Sequence, residues 1–444
     1  MRRFIFPFIA VLLLMTIVYI PAFAGGNNHY KKETLTNGLT VIIKSNPDSK
    51  VFAVNILVKG RAYLEPKGKT GITEFVNRML LKGTDVNNAV QLSKKLDDNG
   101  IKMTLYDNPY IPYDDIYTSR AFAFVKMETI DEYADPSLNL LAEIIGRPSF
   151  PKDKIEEVRQ EIIGLLGMNS GSTYKNARNI YYKELFGDAP YSKTVLGDMK
   201  TINSITRDDL VRFHKILYDP ENLIMAVATN IPVDICFNKI RTIFRDLPKS
   251  GYEYLAPPKV EPVKGIAKSH KYMKKDQVYI YLGNITAGID NPSYPALLIA
   301  TSALSTRMKL NLREKQGLAY SVGAGISLFP NFGIFTCGMG TGYKNYYKAI
   351  KGIKGEINKI RTEGITDIER ENTVNSLWGS MLTRNLSRIN QAYYMALFEY
   401  LGVGYRYWDK YIDNLRAVTT REVQLTAEKY IPWNNYVLAT VGRK

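Results

Sequence analysis

The chain has 444 residues, 45% of them hydrophobic and 31 of them tyrosine. That length exceeds what one core supports and points to two domains of ordinary size, and the apolar content excludes a disordered chain. The formal charge of +16 would attract acidic peptides or an anionic membrane surface, but no Arg/Lys stripe with interleaved aromatics appears, so nucleic acid is excluded and the lysines read as a solvated surface.

Residues 1–24 read as a signal peptide. Arg2 and Arg3 precede an apolar run from Phe4 to Ile20, and Ala22-Phe23-Ala24 forms a small-x-small cleavage site. The expected location is therefore across the inner membrane, in the periplasm. The apolar run is nearly long enough to span a bilayer, so an uncleaved anchor is the alternative and the one expected contact with a membrane. No Cys follows the run, which argues against a lipoprotein.

Phe52 to Val58 reads as a strand, followed by a Gly/Pro-bearing loop and a helix from about Thr73. An irregular Asp/Pro/Tyr-rich loop at 107–115 precedes a strand from Arg120 to Met127. Ile205-Thr206-Arg207-Asp208-Asp209-Leu210 opens a helix that leads through Asp219-Pro220 into a strand from Leu223 to Thr229. Three prolines in Leu255-Ala256-Pro257-Pro258-Lys259-Val260-Glu261-Pro262 make a stiff linker. Then come a strand from Val278 to Gly283, a helix from about Ser293 to Leu312, and a hairpin turning at Pro330-Asn331-Phe332-Gly333. Val418-Thr419-Thr420-Arg421-Glu422-Val423 opens a last helix that leads through Pro432 into a strand from Tyr436 to Val441.

The segments at 205–229 and 418–441 are one pattern used twice: a Thr cap, acidic residues in the first turn, a Pro break, an apolar strand. A weak repeat of a little over 210 residues follows, and duplication of one unit explains it. The expected architecture is α+β, an α/β sandwich of sheet against helices in each half. The expected divisions are 25–254, a linker at 255–267, and 268–444. The two cysteines, Cys236 and Cys337, lie in different halves and in apolar surroundings and read as buried free thiols, with a disulfide left open. The three histidines, His29, His214 and His270, are never within a helical turn of one another.

Gly71-Ile72-Thr73-Glu74-Phe75-Val76-Asn77-Arg78-Met79-Leu80-Leu81-Lys82-Gly83-Thr84 resembles the zinc helix of the M16 (pitrilysin/insulinase-like) metallopeptidases, where His-x-x-Glu-His precedes such a Met-Leu-x-Lys-Gly-Thr tail. The three functional positions here are Glu74, Asn77 and Arg78. Arg78 is permanently cationic, and Glu74 and Arg78 are spaced as an i,i+4 ion pair. The third ligand of the family is a Glu on a later helix. In the matching helix, Ile155 to Met168, Leu165 takes the ligand position and Val158 an accessory one, and Glu161 is expected on another face. The opening Thr34 to Ile42, the segment Phe186 to Gly197, and above all Leu312-Arg313-Glu314-Lys315-Gln316-Gly317-Leu318-Ala319-Tyr320-Ser321-Val322 also resemble the family, in its order along the chain.

The resemblance implies two homologous domains, each a mixed, mostly antiparallel sheet packed against helices. It implies that Arg313 and Tyr320 face a catalytic centre across a cleft, where a guanidinium and a phenol stabilise a developing oxyanion. Spacing alone is equally satisfied by an arginine ending a helix and a tyrosine packed on a strand. Some members of the family divide the work between two chains, one with zinc and one with the Arg/Tyr pair. The expectation is a non-catalytic subunit of a heterodimeric peptidase that holds no cofactor itself. Its partners would be a zinc-binding paralogue and a peptide substrate. A chaperone-like peptide-binding module and a structural subunit are the alternatives.

Overall fold

The computed structural model describes residues 29–106 and 119–444. The expected signal peptide and the loop at 107–115 lie outside the described residues. Six strands build a first sheet: β1 (Tyr30–Thr34), β2 (Thr40–Ser45), β3 (Val51–Lys59), β4 (Lys102–Thr104), β5 (Phe122–Ile130) and β6 (Leu223–Thr229). They run in the order β1-β2-β6-β3-β5-β4, antiparallel throughout except for the parallel pair β2 and β6. The second sheet holds β7 (Ile266–Tyr272), β8 (Gln277–Thr286), β9 (Ser321–Phe329), β10 (Phe332–Gly342) and β11 (Tyr436–Gly442), in the order β7-β11-β8-β10-β9. Here the parallel pair is β7 and β11. Strand for strand, β7, β11, β8, β10 and β9 occupy the places of β2, β6, β3, β5 and β4, so the repeat in the sequence is a repeat of topology.

The longer helices of the first half are α1 (Ile72–Met79), α2 (Ala89–Asp98), α3 (Ala134–Gly146), α4 (Lys152–Ser170), α5 (Thr173–Phe186), α6 (Arg207–Leu217) and α7 (Val233–Phe244). Those of the second half are α8 (Tyr294–Met308), α9 (Tyr346–Thr362), α10 (Asp367–Arg384), α11 (Arg388–Tyr400) and α12 (Thr420–Tyr430). The repeated Thr signals cap corresponding helices. Thr206 accepts the Asp209 N–H at the start of α6, and Thr419 accepts the Glu422 N–H at the start of α12, each at 3.2 Å. Each acid returns the bond to the backbone N–H of its threonine, closing a capping box. The hairpin between β9 and β10 turns on Pro330-Asn331, with Asn331 at φ 70°, as a proline-led turn with a left-handed third residue requires.

Both sheets are covered on both faces, which is why their inner strands read as continuous apolar runs; all seven residues of β6 are buried. On the first sheet Val54, Ile56 and Val58 face one core with α1, α4 and α6. Leu57 and Ile42 face a second core shared between the halves. That shared core is a reciprocal clasp. Helix α5 of the first half packs on β11 and β8 of the second sheet, and α11 of the second half packs on β3 and β6 of the first. The buried Tyr181 hydroxyl of α5 donates to the Phe335 carbonyl at 3.0 Å. From the other side, Tyr400 of α11 donates to the Ala121 carbonyl at 3.1 Å and Arg388 to that of Asn46 at 2.9 Å. Residues 247–264 carry no helix or strand. The end of this connection is held by Asn284, whose amide exchanges bonds of 3.0 and 2.9 Å with the backbone of Val263. Among the described residues, no helix is long and apolar enough to cross a membrane.

Candidate functional site

All eight residues of α1 are buried. The helix starts at Gly71, whose φ of 91° and close approach to the Leu196 carbonyl (2.7 Å from where a Cβ would stand) exclude a side chain. The first N–H groups of a buried helix need acceptors, and Glu65 supplies them, accepting from Gly71 at 3.0 Å and Thr73 at 3.3 Å. Burial pushes the Glu65 carboxyl up to about 7, against the pull of these N–H bonds and of Arg61.

The three motif positions are fully engaged. The Glu74 carboxylate lies between two guanidiniums. Arg61 reaches Oε2 at 2.5 Å, and Arg78 reaches Oε1 through Nε at 3.0 Å and Nη2 at 2.9 Å. Arg61, Glu74 and Arg78 are at most 7% exposed. The Tyr106 ring covers the Arg78 guanidinium at 4.0 Å. Asn77 donates to the Leu105 carbonyl and accepts from the Tyr218 hydroxyl, both at 2.9 Å. The i,i+4 pair expected from spacing forms, and it is one arm of a three-residue cluster. Arg61 gave no sequence signal, because it sits 13 positions away in the short helix Arg61–Leu64 and arrives only through the fold. The same holds for Glu65 as the cap.

Helix α4 corrects one expectation. Glu161 does not lie on another face: its Oε2 approaches Arg78 Nη1 at 3.7 Å. Positions 158, 161 and 165 are separated by three and four residues, so they share one helical face. Val158 and Leu165 are buried on that face, and Glu161, between them in sequence, is exposed at its rim. Lys82, after the helix, pairs with both Glu157 at 2.7 Å and Glu161 at 3.3 Å.

His214 is buried in α6, bonded to the Ile145 carbonyl at 2.8 Å and stacked on Tyr218. Burial lowers its pKa to about 4, so it is neutral near pH 7. His270 meets the Thr440 hydroxyl at 2.9 Å. Cys236 and Cys337 are both buried and free, in separate cores. Burial pushes the Cys236 thiol up to about 12.

Arg313 and Tyr320 occupy the opposite condition. The helix expected to reach Leu312 ends as α8 at Met308 and continues as a π-helical turn, Lys309–Lys315. Such wide turns are rare and concentrate at functional sites. Only Leu312 of this turn is buried. Gly317, at φ 60°, reverses the chain, and the Tyr320 N–H donates to the Gly340 carbonyl at 2.9 Å beside β9. The Tyr320 side chain is 69% exposed. Among the described residues its hydroxyl has no hydrogen-bond partner, and Arg313 pairs only with its neighbour Glu314, at 3.5 Å. No hydrogen bond or ion pair among the described residues joins either to the Glu74 cluster.

The family described as Insulinase (Peptidase family M16) matches residues 40–196, and that described as Peptidase M16 inactive domain matches residues 204–377. An uncharacterized zinc protease of Rickettsia felis is 26% identical over 385 residues, spanning 85% of this chain and 88% of that protein. YmxG of Helicobacter pylori, described as a non-peptidase homolog, is 22% identical over 415 residues, spanning 91% and 92%. Among solved structures, the peptidase M16 inactive domain from Pseudomonas fluorescens superposes with a TM-score of 0.85 at 19% identity, covering 94% of this chain and 98% of that one. The periplasmic protease PqqL of Escherichia coli gives 0.79 at 14% identity, covering 94% of this chain and 46% of that one.

Proposed function

Because this chain belongs to the M16 peptidase family, we propose that it is a non-catalytic subunit of a heterodimeric M16 peptidase. In this reading it completes a peptide chamber and presents Arg313 and Tyr320 to a zinc centre held by a paralogous chain in the periplasm. The observation that carries the reading is the contrast between the two signatures. The residues at the zinc positions are buried and already bonded within the fold, whereas Arg313 and Tyr320 stand exposed with hydrogen-bonding capacity to spare.

Zinc does not fit the first signature. A metal ligand must offer a free lone pair. Both oxygens of Glu74 face guanidiniums, both ends of the Asn77 amide are bonded, and Arg78 is a fixed cation beside them. The chemistry left to this chain is that of its own donors. A guanidinium fork and a phenolic hydroxyl, held on a rigid turn and a strand edge, can bind a peptide carbonyl and stabilise the negative charge it gains when attacked. The free edge of β9 begins one residue after Tyr320 and offers backbone groups to an extended peptide.

The test is co-expression with a relative that carries His-x-x-Glu-His. Peptide hydrolysis should require both chains, and Arg313→Ala or Tyr320→Phe here should lower kcat by roughly a hundred- to a thousandfold. Turnover indifferent to both substitutions would refute the complementing role. The non-peptidase description of the Helicobacter relative favours a second reading, a peptide-holding module without proteolysis. Peptide binding by the purified chain, with no activity in any pairing, would select it.

A further inference from the structure

One end of the second sheet gathers five strand termini. Here β7 ends at Tyr272, β8 starts at Gln277, β9 starts at Ser321, β10 ends at Gly342 and β11 ends at Gly442. The pairings Gly442–Tyr272, Gly342–Gln277 and Gly340–Ser321 hold these ends side by side. The segments that leave them are cationic. Lys274 and Lys275 join β7 to β8, Arg313 and Lys315 precede β9, and Lys344 follows β10. Lys348, in the opening turns of α9, joins them. Gly352 of that helix lies so near Leu312 of the π turn that a Cβ there would stand 2.8 Å from the Leu312 side chain.

The acids at this end are already used. Asp276 pairs with Arg443 at 3.2 Å and Glu314 with Arg313 at 3.5 Å. Lys274, Lys275, Lys315, Lys344 and Lys348 are exposed and make no ion pair among the described residues. Tyr272, Tyr320 and Tyr347 stand among them, each at least 66% exposed. A patch of uncompensated cations concentrates anions and repels cations, more strongly where several fields add. The net charge of the chain is therefore not evenly solvated; part of it is focused on the surface that bears Arg313 and Tyr320.

We propose that this end of the second sheet selects acidic peptide segments, so that the substrates presented to Arg313 and Tyr320 are rich in Asp and Glu. The proposal rests on the subunit reading for its setting. A peptide is favoured over a lipid surface because β9 is an edge strand. Its unpaired backbone donors and acceptors begin beside Tyr320 and match an extended polypeptide, for which a headgroup has no equivalent.

The test uses the full chain without a partner. A fluorescent peptide of about ten residues rich in Asp and Glu and its Asn/Gln counterpart are titrated by anisotropy, alongside vesicles of phosphatidylcholine and phosphatidylglycerol. The acidic peptide should bind about tenfold or more tightly than the amide one at low ionic strength, and the gap should close near 0.5 M salt, about a 4 Å screening length. Lys315→Glu/Lys344→Glu/Lys348→Glu should abolish the preference, and Lys67→Glu/Lys200→Glu elsewhere should not. If the triple variant fails to fold, the Gln versions should weaken the preference in its place. Equal affinity for the two peptides, a preference that survives the triple variant, or binding to vesicles alone would overturn the proposal. Hydrolysis by the pair without acidic preference would remove the selector and keep the subunit; acidic preference without hydrolysis would do the reverse.

Discussion

Glu74 holds the charge balance of α1. With Arg61 and Arg78 on either side of it and solvent excluded, its carboxylate is what makes two buried guanidiniums tolerable. Removing one member of such a group costs far more than the group contributes, because the remaining charges stay buried and unpaired. Glu74→Gln should therefore destabilise the protein by about 3–5 kcal/mol, whereas the apolar triple Arg61→Met/Glu74→Leu/Arg78→Met should lie close to the parent. Urea unfolding followed by tryptophan fluorescence measures both, and a mild Glu74→Gln would show that water reaches the cluster. The motif positions and the 74/78 pair were legible in the sequence because a helix fixes what lies four residues apart. Arg61, Glu65 and Glu161 were not. The first two come from a preceding turn, and the third comes from a helix whose facing depends on how it packs against α1.

Among elements, the Thr caps of α6 and α12 and the strand β6 could be read directly, since each is a local rule. The π turn after α8 could not, because nothing in Lys309 to Lys315 breaks a helical pattern. The pairing of α5 with the second sheet was equally hidden, as α5 shows an ordinary amphipathic face. Its seat depends on Gly283 in β8. A Cβ there would stand 1.9 Å from the Phe335 carbonyl and 2.5 Å from the Tyr181 hydroxyl. Gly283→Ala must therefore push α5 off the sheet or break the β8–β10 ladder, and a loss of about 3 kcal/mol is expected, at the upper end for overpacked cores. Tyr181→Phe, which only deletes the bond to Phe335, should cost about 1 kcal/mol. Comparison of the two melting temperatures checks the order; a Gly283→Ala protein as stable as the parent would mean that α5 is loosely seated.

For the whole molecule, duplication was visible as a period, but the exchange of helices between the duplicated halves was not. Linker composition gives no sign of it, because the exchanged helices lie far from residues 247–264. Each half leaves an apolar sheet face that only the other half covers. Residues 29–264 or 265–444 produced alone should aggregate or bind hydrophobic dyes, and the intact chain should melt in a single transition with calorimetric and van't Hoff enthalpies equal. Two separated transitions would show that the halves are independent.

The clasp also constrains movement. A chain whose halves each grip the sheet of the other, through Tyr181 in one direction and Tyr400 and Arg388 in the other, cannot part its halves without breaking these bonds. In the proposed heterodimer, a chamber that must admit a peptide and then close around it would have to do so by moving this chain as one rigid shell against the second subunit. The opening motion would then be governed by the surface between the two chains, and the connection within this one would take no part.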